Sequence, residues 1–171
     1  MGEQDIITVL RHKRHDWMNQ IQLIHGYASL GKQDKLMEQI EEVKEEAEEE
    51  RKLLNSHAGA FSIWLLTFNW THDSYRVKFS FVDDVDLSRH DQRLTAYGIR
   101  MIQLMDEHTV PGELYEGVLT IYVGGQNALG LSWEWEGPFI NGDDLKQKLN
   151  HEGFIVTLFD NKELSIEMTI E

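Results

Sequence analysis

The feature that most constrains this fold lies in residues 4–55. From 4 to 30, Ile6, Leu10, Trp17, Ile21, Ile24 and Ala28 recur at three, four or seven positions, an apolar stripe on a 3.6-residue period. Gly31-Lys32-Gln33-Asp34 interrupts it. Gly31 suits a helix C-cap and Asp34 the N-cap of a second helix. That helix runs to about Asn55 with its own stripe of Leu36, Ile40, Val43, Ala47 and Leu54. A short turn makes the two helices an antiparallel hairpin. Two stripes along about 40 Å of helix cannot cover each other completely. The cheapest partner is a second copy, so the pattern predicts homodimerisation into a four-helix bundle. The alternative is that both stripes pack on the rest of the same chain.

After Ser56-His57-Ala58-Gly59, read as a linker, the pattern changes. Residues 60–70 are a very apolar helix, 75–82 an alternating strand with Val77, Phe79 and Phe81 on one face, and 87–108 a long helix. Strands follow at 117–123 and 129–135, a short helix at 142–151, and a last hairpin of 154–160 and 164–170. Turns are expected at Gly124-Gly125-Gln126-Asn127 and Asn161-Lys162. Helices with a largely antiparallel sheet imply an α+β chain. Its expected domains are a helical hairpin over 1–57 and an α/β sandwich over 58–171.

Composition removes several classes of function. The chain has no cysteine, hence no disulfide and no Cys-based zinc site. That fits a reducing, cytoplasmic location. No run of 18 apolar residues and no leader pattern is present, so no membrane partner is expected. A net charge of −14 argues against a nucleic-acid partner, because phosphate backbones are held by Lys and Arg.

Arg-His-Asp occurs twice, at 14–16 and 89–91. The second copy opens a helix, and Ser88 followed three residues later by Asp91 reads as a capping box. His15 has no such local explanation. At about 100° per residue, Thr8, Arg11, His15, Asn19, Gln22 and Gly26 share one side, opposite Leu10, Trp17 and Ile21. His15 is therefore expected to face water. An imidazole is both neutral and nucleophilic near neutral pH. Arg11, Lys13 and Arg14 place cations beside it in an acidic chain, which points to a visiting anion. Gly26, a poor helix former, leaves room for another backbone to approach. His12, His15 and Asp16 do not converge as zinc ligands, and no metal is expected. No Gly-x-Ser-x-Gly elbow supports a serine hydrolase.

The stretch "RHDWMNQIQLIHGYASL" resembles the phosphorylatable-histidine segment of bacterial two-component systems. The closer likeness is to the sporulation initiation phosphotransferase B family. Arg14, His15, Asp16, Trp17, Met18, Asn19, Gln22, Leu23, Ile24, Gly26, Ser29 and Leu30 carry it. So do Leu66-Thr67-Phe68-Asn69-Trp70, Asp86-Leu87-Ser88 and Asp91-Gln92. The resemblance implies a hairpin that dimerises into a four-helix bundle, and a C-terminal domain like a degenerate histidine-kinase ATPase domain. It also implies phosphoryl transfer, with no cofactor of the chain's own. A phospho-aspartate on a single-domain response regulator would charge the histidine. A transcription-factor regulator that starts sporulation would then take the group.

ATP-dependent self-phosphorylation is not expected. The helix 92–108 has no Asn, and the loop 136–142 has no Asp-x-Gly-x-Gly. His15 is the expected nucleophile and Arg14 the phosphate-compensating cation, unless Arg14 pairs with glutamates of the second helix. Asp16 is placed to bias the ring tautomer. Arg11 or Lys13 would aid docking, and Asn19 or Gln22 would contact the docked regulator. Met18 and Leu23 flank the strip, as bundle edge or as regulator-gripping surface. Any Mg²⁺ would belong to the regulator's acidic pocket. The competing readings are a scaffold that only docks a regulator, and a sensor-kinase fragment that binds nucleotide.

Overall fold

Helix α1 (Glu3–Ser29) ends through the backbone expected at Gly31. In this computed structural model Gly31 adopts φ +67°. Its N–H donates to the Ala28 carbonyl at 3.1 Å, and the Lys32 N–H donates to that of Tyr27 at 3.0 Å. This doubled bond satisfies two of the carbonyls that a helix end orphans. Helix α2 (Gln33–Asn55) starts one residue before the expected cap. Asp34 thus lies in its first turn, where a carboxylate meets the positive end of the helix dipole. The structure describes residues 2–125, 128–160 and 162–170, apart from the side chains of Leu158 and Phe159. Of the two expected turns, Gln126, Asn127 and Asn161 lie outside the described residues.

The chain divides into two compact units between Arg51 and Lys52. In the first, α1 has no buried residue at all. The second opens with the last turn of α2, where Leu53 is fully buried. The Leu53 carbonyl accepts the Ser56 N–H at 3.1 Å, the Ser56 hydroxyl at 2.6 Å and the Ser62 hydroxyl at 3.2 Å. The expected linker is therefore folded: Ser56 and Ala58 are buried, and only His57 turns left-handed, at φ 60°.

Beyond it come α3 (Gly59–Thr71), β1 (Tyr75–Phe81), a short 3-10 turn at 88–90, α4 (Asp91–Asp106), β2 (Tyr115–Val123), β3 (Leu129–Glu136), α5 (Gly142–His151), β4 (Ile155–Phe159) and β5 (Glu163–Ile170). The five strands form one sheet in the order β1-β2-β3-β5-β4. Only β1 and β2 run parallel, and α4 is their crossover; a parallel pair requires such a connection. The fold is mixed α+β, as the sequence pattern indicates.

One face of the sheet forms the core. Tyr75, Val77 and Phe81 are buried with Tyr115, Leu119 and Ile121, then Leu131, Trp133 and Trp135, then Leu164, Ile166 and Met168. Alternation in each strand sends Arg76, Glu116, Glu134 and Glu163 outward. Helices α3, α4 and α5 supply Phe61, Phe68, Leu94, Met101, Leu145 and Leu149 to the same core. α3 and α4 approach closely, because a Cβ at Gly98 would stand 2.4 Å from the Trp64 ring. Among the described residues, no helix is long and apolar enough to cross a membrane.

The expected capping box at Ser88 does not form. Residues 88–90 make a separate 3-10 turn, and the Ser88 N–H donates to Asp86 at 2.9 Å. The Asp91 carboxylate reaches a different helix. It accepts the Ala60 N–H at 3.1 Å and the Phe61 N–H at 2.7 Å, so it caps α3 from the start of α4. Sequence spacing shows only local partners, and this one is 30 residues away. Asp91→Ala strips two backbone donors of their acceptor and is expected to cost about 1–2 kcal/mol. Ser88→Ala, at an exposed turn, should cost less than about 0.5 kcal/mol. Urea unfolding midpoints of the two variants test this, and equal losses would favour the local cap.

Candidate functional site

The rotation of α1 is fixed by bonds to α2. Lys13 Nζ donates to Glu50, and Gln20 Nε2 donates to Glu46 at 2.8 Å. Val9, Lys13, Gln20, Ile24 and Tyr27 are the half-buried positions on that side. His15 is two residues from Lys13, so it points about 160° away from the bonded side. Its side chain is 71 % exposed. The prediction that His15 faces water holds.

Two neighbours contact the ring, both through Nδ1. Asp16 Oδ1 lies 3.3 Å away and Asn19 Nδ2 3.4 Å away. These are long for hydrogen bonds, whose usual range ends near 3.2 Å. Nε2 has no hydrogen-bond partner among the described residues. Asp16 thus reaches the ring despite its rotation of about 100° along the helix.

The cations separate into two groups. Lys13 does not lie on the strip: its ammonium is spent on Glu50, and its expected docking role is corrected accordingly. Sequence alone could not show this, because the partner is 37 residues away. Arg11 and Arg14 are exposed and make no ion pair among the described residues. The alternative pairing of Arg14 with the glutamates of α2 is not formed. His12 is held locally, its Nδ1 2.9 Å from the Thr8 carbonyl.

Met18 and Leu23 lie on either side of His15, 43 % and 48 % exposed, and Gln22 is exposed beside them. A Cβ at Gly26 would meet nothing within 4 Å, so among the described residues no backbone uses the room it leaves. The apolar stripe is a separate face. Leu10, Trp17 and Ile21 are 62, 68 and 49 % exposed. Such a run of large apolar side chains marks an interaction surface.

The second unit has a different chemistry. A cavity of about 410 Å³ lies between α4 and α5, lined by Arg100, Leu104, Glu107, Asp144, Gln147, Lys148, His151 and Glu152. Its charges are paired with one another: Arg100 with Glu152 at 2.7 Å, and Lys148 with Glu107 at 2.8 Å and Asp144 at 3.0 Å. Buried His108 joins them through Nε2, 2.9 Å from Asp144. His108 and Lys148 together hold the Asp144 carboxyl below its ordinary range. Where the sequence lacks a phosphate loop, the backbone at Gly137 lies against its own core. A Cβ there would stand 2.3 Å from the Tyr115 ring, and the Tyr115 hydroxyl donates to the Pro138 carbonyl. Among the described residues, no three His, Cys, Asp or Glu side chains gather as a metal site.

Comparison with known proteins adds to this geometry. Two solved structures from Erythrobacter litoralis are among the matches. One is the histidine kinase domain of the EL346 blue-light activated histidine kinase, with TM-score 0.46 and 14 % identity over 67 % of this chain and 61 % of that one. The other is the blue-light activated histidine kinase itself, with TM-score 0.45 and 16 % identity over 99 % of this chain and 61 % of that one. The sporulation initiation phosphotransferase B of Bacillus subtilis (strain 168) is 38 % identical over 104 residues, 60 % of this chain. The match spans about half of that relative, 54 % of its length. Family models match the whole chain: a SpoOB-type sensor kinase alpha-helical domain over residues 1–56, and the C-terminal domain of sporulation initiation phospho-transferase B over residues 57–171. The chain therefore belongs to the sporulation initiation phosphotransferase B family.

Proposed function

We propose that this chain is a phosphorelay phosphotransferase that carries a phosphoryl group on His15. The observation that supports this best is the exposed ring, turned away from the α1–α2 bonds, with Arg11 and Arg14 on the same helix and without an ion pair among the described residues. The proposed partners are response regulators: one donates from a phospho-aspartate and a second, which controls sporulation initiation, accepts.

The Nε2 lone pair attacks phosphorus in line. The P–N bond forms as the bond from phosphorus to the aspartyl oxygen breaks, and that electron pair stays on the regulator's carboxylate. Nδ1 keeps its proton and donates a hydrogen bond to the Asp16 carboxylate, which balances the positive charge on the phosphorylated ring. The second transfer is the same exchange in reverse, onto another carboxylate. Arg14 compensates charge on the phosphoryl oxygens. Arg11 steers the encounter, and Asn19, Gln22, Met18 and Leu23 contact the docked regulator. This is catalysis by positioning and electrostatics. Mg²⁺ resides in the regulator's acidic pocket, and the chain brings no cofactor of its own.

Dimerisation belongs to the same reading. The exposed stripe of Leu10, Trp17 and Ile21 fits a second hairpin, which gives a four-helix bundle with His15 outward. The C-terminal domain is read as a degenerate kinase domain without ATP binding. The Gly137 backbone lies against Tyr115, and the charges of the α4–α5 cavity satisfy one another.

Mixing the chain with a ³²P-phosphorylated receiver domain is expected to put acid-labile, base-stable label on His15. His15→Gln should take none. Arg14→Ala should slow transfer by roughly tenfold or more, the scale of one charge-assisted contact. A chain that binds the receiver but takes no label is a scaffold. Label from ATP alone would make it a kinase.

Ile21→Glu places a charge on the apolar stripe and is expected to turn a dimer into a monomer in sedimentation equilibrium. A wild-type monomer at tens of micromolar, or a mutant that still dimerises, would remove the bundle from this proposal.

A further inference from the structure

We propose that Asn19 is a positioning residue that masks His15, by favouring the ring tautomer in which neither nitrogen can attack. The inference rests on the reading of His15 as the phosphoryl acceptor and adds a control on its reactivity.

A neutral imidazole carries one N–H and one lone pair. Asp16 and Asn19 both address Nδ1, at 3.3 and 3.4 Å. A carboxylate only accepts, so the Asp16 contact requires the proton on Nδ1. An amide NH₂ only donates, so the Asn19 contact requires the lone pair on Nδ1. The two contacts exclude one another. Their near-equal lengths, both at the long end for a hydrogen bond, give neither a dominant hold.

The consequences for Nε2 are opposite. With Asp16 engaged, Nε2 bears a lone pair that points into solvent, and the ring is a nucleophile. With Asn19 engaged, the proton sits on Nε2 and the remaining lone pair is occupied by the amide. The ring then has no free lone pair, although it is 71 % exposed. Phosphorylation at Nε2 leaves the proton on Nδ1, so it keeps the Asp16 contact and forfeits the Asn19 contact. Asn19 therefore favours the unphosphorylated ring, which restrains charging and promotes discharge.

The experiment reads the tautomer directly, in the full-length chain. Long-range ¹H–¹⁵N spectra at about pH 8, where histidine rings are neutral, separate Nδ1–H from Nε2–H by the nitrogen shifts. His15→Gln identifies the His15 signals. Asn19→Leu removes the donor, and the ratio of Nδ1–H to Nε2–H is expected to rise about two- to threefold, the low end for one net hydrogen bond. Asn19→Asp substitutes an acceptor and should raise it further. Asp16→Ala should lower it. Both positions are exposed on α1, and a ratio that stays put or falls in Asn19→Leu overturns the proposal. A ratio that rises in Asn19→Leu and falls in Asp16→Ala supports it, whether or not receiver label reaches His15. Label on His15 with an unmoved ratio sinks the masking alone.

Discussion

The first unit is governed by apolar surface that its own two helices leave uncovered. A hairpin has one shared face, and α1 brings more than one face can use. The half-buried positions at Val9, Lys13, Gln20, Ile24 and Tyr27 account for that face. Leu10, Trp17 and Ile21 lie beyond it and remain exposed. Burying a large apolar side chain is worth about 1.5–3 kcal/mol, so three of them form a strong reason to associate. His15 lies outside both the shared face and the apolar stripe, and its 71 % exposure follows from that placement.

Rotation of α1 is set by polar contacts as well as apolar ones. Lys13 with Glu50 and Gln20 with Glu46 are seven residues apart on α1 and four apart on α2. Both are partly exposed, Lys13 and Glu50 at 39 and 33 % of their side chains, and such pairs contribute only modestly to stability. Their contribution is register. A one-residue slip would turn α1 by about 100° and bring a different side chain into the water-facing sector. Glutamates 46 and 50 therefore do more than solvate an acidic face.

Legibility in the sequence followed the range of each interaction. The hairpin, its Gly31 cap and the exposure of His15 come from periodicity and local backbone preference, and all were readable. The strands of the second unit were readable within one or two residues, because alternation is also local. Lys13 reads in the sequence as a cation beside His15, and its partner Glu50 is 37 residues away. Asp91 looked like half of a local cap and instead closes α3. The 3-10 turn at 88–90 was invisible because a single such turn has no periodic signature. The Asn19 contact with His15 was open to discovery: the two are four residues apart, the spacing at which helical side chains meet.

In the second unit, glycines let the chain pack against its own aromatic rings. Gly98 admits the Trp64 ring between α3 and α4, Gly117 admits Trp135 on the sheet, and Gly137 lets the backbone rest on Tyr115. In a phosphate-binding loop, glycine serves to bring backbone N–H groups up to a ligand. Here the same absence of a Cβ brings the chain up to its own aromatic rings. Trp133 and Trp135 stack at 5.8 Å, and Trp135 meets Tyr75 edge-on at 5.5 Å. Asp106 accepts the Tyr75 hydroxyl at 2.7 Å, and burial with this carboxylate pushes the phenol well above its ordinary range. Each aromatic contact is worth about 0.5–1.5 kcal/mol beyond its buried area. These glycines are thus committed to packing, and the unit's stability rests in part on the aromatic contacts they admit.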